Sequence, residues 1–286
     1  MLHVLMLVHS ALSAGTYIAG KRALAEVSPV ELAMVRFVLA AVVHAVLLAR
    51  MSVRFERRDL LGLAALGVLA VAVNQLLFLA GLALSTPGHA ALLYAMTPIF
   101  VFIVEWLRGR ERASRHKVFG IAVAFAGTVV VLAGRGVLGM AGARDVLLGD
   151  LLLLLAVIAW AVYAVGGKAY AARYGGLATG SVTLVAGTVL CAPAGAAFVH
   201  LDRFVRMSPL GVASVVYLVV VTSVVAWLIY YWALGRAEAS RVAIWSNLQP
   251  VLTALLAWAM YGEALTAPFV AGGAMVVAGV VLAERR

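Results

Sequence analysis

The chain has 286 residues, 65% of them hydrophobic and 12% charged, with a mean hydropathy of +1.08. Soluble domains average about 45–50% apolar and about 25% charged residues, so this composition excludes a water-soluble globular domain and indicates an integral membrane protein. The formal charge of +10 does not point to nucleic acid, because the basic residues sit in short clusters between long apolar runs, as in membrane-protein loops.

A spanning helix needs about 20 mostly apolar residues. Taken in order, the expected spans are roughly 2–20, 29–49, 60–84, 87–107 and 115–134, then 150–171, 178–199, 210–234, 240–261 and 267–283. The first has no Lys or Arg ahead of it, so it lacks the basic region of a cleavable signal and reads as a retained span. Ser28-Pro29, Thr86-Pro87, Ser208-Pro209 and Pro268 are helix-start signals for spans two, four, eight and ten. A Gly-rich stretch from Arg135 to Gly149 separates spans five and six. The single Cys191 lies in an apolar run, which excludes an intrachain disulfide.

One shift of 152 residues carries Leu82 onto Leu234, Ala91 onto Ala243, Pro98 onto Pro250, Glu111 onto Glu263, Gly120 onto Gly272 and Gly127 onto Gly279. Pro and Glu are scarce in this chain, so their matches carry the argument for an internal duplication. A unit of five spans is odd, so a second copy must lie upside down relative to the first. Charge agrees with this. With the N-terminus inside, the inside loops hold fifteen of the 22 Lys and Arg residues and the outside loops six. The loop after span four carries Arg108, Arg110, Arg112, Arg115 and Lys117, whereas the equivalent loop after span nine carries none. The expected fold is therefore all-α and membrane-integral. It has ten transmembrane helices as two inverted five-helix repeats, residues 1–135 and 150–286, joined by a connecting loop at 136–149, with both termini cytoplasmic.

Polar and aromatic side chains gather near Pro98 and Pro250, which fall near the middles of spans four and nine. A mid-helix proline frees a carbonyl and bends the helix. Two such bends either fix packing or flank a midplane cavity as hinges. The candidate cavity residues are Ser13 and Tyr17; Asn74, Gln75 and Phe78; His89, Tyr94 and Thr97; Trp160 and Tyr163; Trp227 and Tyr230; and Trp245, Asn247 and Gln249. The alternative reading is interhelical hydrogen bonding and aromatic packing, since an amide in lipid must find a partner. A mostly apolar lining with a few placed polar groups suits a small amphipathic solute better than an ion.

Arg36 is the only basic residue well inside a span, a structural or gating charge with Glu31 as its expected partner. Glu105 is expected to join Arg108 in the loop-side cluster. No carboxylate lies at mid-span, which favours a facilitator, or coupling without a central carboxylate. The small-residue faces Gly120/Ala124/Gly127 and Gly272/Gly273/Gly279 suit close helix packing, or a homodimer through spans five and ten. No phosphate-binding loop, metalloprotease motif or nucleophile elbow occurs, and the six His show no metal-ligand spacing. The expectation is a protein that is not an enzyme, with no cofactor, no metal and no nucleic-acid partner.

The segments Gly81-Leu82-Ala83-Leu84 with Ala90 to Pro98 and Glu111, and Ala233-Leu234-Gly235 through Gln249-Pro250 to Gly262-Glu263, resemble the drug/metabolite transporter superfamily. The match is to its EamA-type ten-span exporters, over nearly the whole chain. Arg36 resembles the arginine of that family's second span, and Lys21 and Lys168 its lysines ending the first span of each repeat. Ser13-Ala14-Gly15 departs from the family's frequent Trp-Gly. The resemblance implies a bacterial-type inner-membrane exporter working by alternating access. Its cavity would be formed by spans one, three, four, six, eight and nine, with an amino acid or similar small metabolite as substrate and the lipid bilayer as its surroundings. The alternatives are multidrug or organic-cation efflux and, from another class, a lipid scramblase or membrane-embedded enzyme.

Overall fold

The computed structural model describes residues 1–112, 114–133, 143–261 and 267–284; Glu263 lies outside them. Among these residues the chain is helical, without strands. Helix α1 is Leu2–Ala23 and α2 is Pro29–Ala49. Helix α3 (Arg57–Val68) runs through a π-helical turn (Leu69–Asn74) into α4 (Gln75–Leu84). Next come α5 (Pro87–Tyr94), α6 (Thr97–Leu107), α7 (Arg115–Ala133), α8 (Ala143–Tyr174), α9 (Gly176–Ala196) and the short α10 (Leu201–Val205). Helix α11 (Pro209–Val216) continues through a π-helical stretch (Tyr217–Ala226) into α12 (Trp227–Leu234). Helix α13 (Ala239–Ala243), a 3₁₀ turn (Ile244–Asn247), α14 (Leu248–Tyr261) and α15 (Ala267–Glu284) complete the order.

Among the described residues, six helical stretches are long and apolar enough to cross a membrane: Leu2–Ala23, Pro29–Ala49, Arg57–Leu84, Arg144–Tyr174, Gly176–Ala196 and Pro209–Leu234. Thr97–Leu107 and Val270–Ala283 are apolar but shorter. Helix α2 shows how one helix serves two environments. Ala33, Phe37, Ala40 and His44 are buried at helical spacing, whereas Val38, Val42 and Val46 are exposed on the opposite side. An apolar outer face on a buried helix is what lipid contact requires.

The helix ends follow from local chemistry. Ser28 and Glu31 form a reciprocal capping box on α2, with Pro29 in the first turn. Lys21 donates to the carbonyls of Leu82, Ala83 and Ser85 at 2.9, 2.9 and 2.7 Å, capping the orphan carbonyls of α4. Glu26 accepts from the backbone and hydroxyl of Ser208 at the start of α11, which holds its carboxyl below the ordinary carboxylate range.

Both prolines sit at irregularities of the backbone. Pro98 stands in the first turn of α6, just after a break at Ala95–Met96 that interrupts span four. Proline is tolerated there because that N–H would be unpaired anyway. The Tyr94 carbonyl, four residues back, instead accepts the Thr97 hydroxyl at 2.6 Å. Pro250 likewise stands in the first turn of α14, behind the 3₁₀ turn. The irregularities recur at the sequence offset, since a shift of 152 carries Asn74, the end of the first π turn, onto Ala226, the end of the second.

Helices α7 and α15 pack together along their small-residue faces within one chain. A Cβ on Gly127 would lie 2.6 Å from the Gly272 carbonyl oxygen, so the backbones meet where side chains are absent. The small residues expected at a homodimer contact are thus occupied intramolecularly. Gly81 does the same between α4 and α8, where a Cβ would lie 2.7 Å from the Gly149 oxygen. Replacing Gly127 or Gly81 by Leu should lower stability by about 1–3 kcal/mol, as overpacking does, while Val42→Leu on the lipid-facing side should be neutral. Thermal unfolding in detergent checks this. Unchanged melting of both glycine variants would count against these contacts.

Candidate functional site

A cavity lies between α1, α2, the two π turns, α4, α5, α8, α12 and the 3₁₀–α14 junction. It leaves about 90 Å³ open to the centres of water molecules, room for several waters or a small solute. Of the sequence-selected residues, Ser13, Tyr17, Asn74, Gln75, Phe78, Tyr94, Trp160, Trp227, Tyr230 and Gln249 line it, and so does Arg36. Among the described residues, the lining contains no Asp or Glu.

Four selected residues do not line it. Thr97 is turned back onto Tyr94. Tyr163 is buried behind the wall, with its hydroxyl 3.1 Å from Thr183 Oγ1 and its ring against Trp160 and Trp227. Asn247 is fully buried, and neither side-chain atom has a hydrogen-bond partner among the described residues. Trp245 faces a second cavity instead. The side chain of His89 lies outside what the structure describes.

The walls separate by chemistry. On one side, Trp160 packs against Trp227 at 5.7 Å and Tyr230 at 5.1 Å between ring centres. On the other, Tyr17, Phe78 and Tyr94 meet edge-on at 5.3–6.1 Å. Tyr17 also donates to Gln249 Oε1 at 2.6 Å, linking α1 to α14. The π turns place the remaining polar groups. Disturbed helical pairing leaves carbonyls available to side chains. The Ala226 oxygen lies 3.0 Å from His9 Nδ1, and the Ser223 oxygen 3.0 Å from His44 Nε2.

Arg36 does not pair with Glu31. Five residues on a helix turn the side chains about 140° apart, so the two face different neighbours. Glu31 stays at its own cap and takes Arg203 at 3.1 Å and His200 at 3.1 Å. Arg36 reaches inward, where Nε donates to Ser223 Oγ at 2.6 Å and Nη1 to Gln75 Oε1 at 3.1 Å. Sequence reasoning did not select Ser223 or the lining residues His9 and Thr222. For His9 and Ser13 a signal existed, because they are one helical turn apart; their ring and hydroxyl lie 3.5 Å apart.

Glu105 is also placed differently from expectation. It is fully buried on the face of α6 that carries Val101, 3.9 Å from Lys168 Nζ of α8, while Arg108 is exposed.

The second cavity, of about 900 Å³, opens at the end of the bundle holding the start of α1. Its lining includes Arg110, Glu111, Arg112, Lys117, Arg236, Glu238 and Arg241. Ser240 donates to Glu111 at 2.8 Å, and Lys117 bridges Glu111 at 3.5 Å and Glu238 at 2.6 Å. The Lys117 ammonium holds the Glu238 carboxyl below its ordinary range. Trp245 borders this chamber and Ser246 the central cavity, and Ser10 of α1 donates to the Trp245 carbonyl at 2.9 Å. Adjacent residues of one 3₁₀ turn thus stand in the partition between the two spaces.

The model of the EamA-like transporter family matches residues 1–133 and 147–284. An uncharacterized transporter of Archaeoglobus fulgidus is 28% identical over 264 residues, covering 91% of this chain and 90% of that one. A probable terminal-alkyne amino-acid exporter of Streptantibioticus cattleyicolor is 30% identical over 256 residues, covering 89% and 84%. One crystal structure superposes with a TM-score of 0.79 at 21% identity, covering 99% of this chain and 96% of its own, a likeness of fold. With a mostly apolar cavity inside a helical bundle whose outer faces suit lipid, the chain belongs to the EamA-like transporter family.

Proposed function

We propose that the protein exports amino acids or similar small metabolites across the inner membrane by alternating access. In this reading ten crossings form two inverted five-helix halves, residues 1–135 and 150–286, with both termini cytoplasmic. The observation that carries it is the central cavity, whose aromatic walls flank a few converging amides, hydroxyls and one guanidinium, with no carboxylate among the described lining residues. Such a lining suits a small solute with an apolar body and a polar head, and it disfavours a cation. The similarity to a probable amino-acid exporter supports the same class.

The charged chamber then lies on the cytoplasmic side. The partition through Met6, Ser10 and Trp245, together with the Lys117–Glu238 bridge, forms the gate that separates it from the substrate. Pro98 and Pro250 restart helices beside the cavity. Each break is a place where one helical half turns against the other without breaking a run of backbone hydrogen bonds.

Reconstituted protein should exchange aromatic and large neutral amino acids in proteoliposome counterflow. A panel in which only organic cations move would overturn the reading. Trp245→Ala should join the two spaces. In a Cys191→Ala background, Ser246→Cys should become reactive to an impermeant maleimide from the cytoplasmic side only when Trp245→Ala is added. Pro98→Ala and Pro250→Ala should slow exchange while changing folding stability by less than about 1 kcal/mol. Unaltered exchange in both would remove the hinge role.

A further inference from the structure

We infer that Arg36 is the anchor for a carboxylate on the transported solute, which makes it the residue that sets substrate class. The inference rests on the central cavity being the transport site.

One hydrogen-bond chain beside Arg36 has a fixed polarity. Asn74 Nδ2 donates to the Ala156 backbone carbonyl at 2.7 Å, and that oxygen can only accept. This fixes the Asn74 amide, so its Oδ1 must accept, and it does so from Gln75 Nε2 at 2.6 Å. The Gln75 oxygen is thereby turned toward Arg36, whose Nη1 it receives at 3.1 Å. Ser223 Oγ holds Nε at 2.6 Å. The guanidinium is therefore clamped on two sides by neutral acceptors, one of them, Gln75, oriented through Asn74 by a backbone carbonyl.

Clamping leaves donors unspent. A guanidinium carries five N–H groups in a planar fork, and two are engaged. Nη2 has no hydrogen-bond partner among the described residues and is not sealed off as a buried orphan, while Arg36 itself lines the cavity. The charge is also uncompensated. Glu31 is held at its own helix cap by His200 and Arg203, and among the described residues no Asp or Glu lines the cavity. A buried cation without an anion is unfavourable in a low-dielectric bundle. An incoming carboxylate would supply the missing charge and take the free edge of the fork. The solute's apolar body would then lie against Trp160, Trp227 and Tyr230, which line the same cavity. Nothing of opposite sign in the lining demands an ammonium, so the site should accept carboxylic acids as well as amino acids.

The test uses three probes with one aromatic body and purified full-length protein in nanodiscs. They are phenylalanine, 3-phenylpropionate (no ammonium) and phenylalaninamide (no carboxylate). Both carboxylates should bind at least about tenfold more tightly than the amide, as expected for a charged hydrogen bond. In Arg36→Gln this preference should collapse. A merely structural arginine would weaken all three probes in proportion and leave the preference intact. If Arg36→Gln does not give monodisperse protein, Ser223→Ala, which frees Nε, should reduce the preference partway. Equal binding of acid and amide to the wild type would overturn the assignment, as would absence of binding by either carboxylate or an unchanged preference in both variants. Selective acid binding without flux in proteoliposomes would sink the transport reading and leave the assignment of Arg36 standing.

Discussion

In hydrocarbon no water satisfies a backbone N–H or C=O, so a chain this apolar must close its hydrogen bonds within helices and can break them only against protein. The structure is arranged around the places where it does break them. The two π turns, the Ala95–Met96 break and the 3₁₀ turn at Ile244–Asn247 all lie in the bundle interior, and all border the central cavity or its wall. Each supplies groups that a regular helix would consume. The Ser223 and Ala226 carbonyls meet the histidines of α2 and α1, and the Tyr94 carbonyl is taken by Thr97. Irregular backbone and polar side chains therefore occur together because each satisfies the other.

The same constraint governs charge. The described carboxylates keep to the bundle ends or, like Glu105, face a nearby amine within the protein. Arg36 is the exception, held by neutral acceptors alone. Its isolation gives the cavity a positive character that no described lining residue cancels. The charged chamber shows the opposite regime. There carboxylates and basic groups line one space, and a lysine bridges two glutamates.

Close packing explains the remaining architecture. Without a hydrophobic drive between helices in lipid, association depends on contact area and small residues. Helices α7 and α15 meet through glycine faces, as do α4 and α8 at Gly81 and Gly149. The aromatic wall of Trp160, Trp227 and Tyr230 is backed from behind by Tyr163 and Tyr231.

Composition and hydropathy were enough to establish a helical membrane protein, since about 20 apolar residues per crossing leave few alternatives. The 152-residue offset and the shortage of mid-span charge were also legible, and the residues Asn74, Gln75, Trp227 and Tyr230 stood out because polar and aromatic groups are conspicuous in an apolar run. Tertiary structure alone decided their partners. Asn74 and Arg36 are bonded across the bundle to Ala156 and Ser223, contacts that no local spacing encodes. It turned Glu31 and Glu105 to neighbours other than the nearest charge in sequence, because helical rotation outweighs proximity along the chain. It also set a helix break ahead of Pro98 and a 3₁₀ turn ahead of Pro250. A proline's effect depends on whether the carbonyl four residues back belongs to the same helix, and that is settled only when the neighbouring helices are in place.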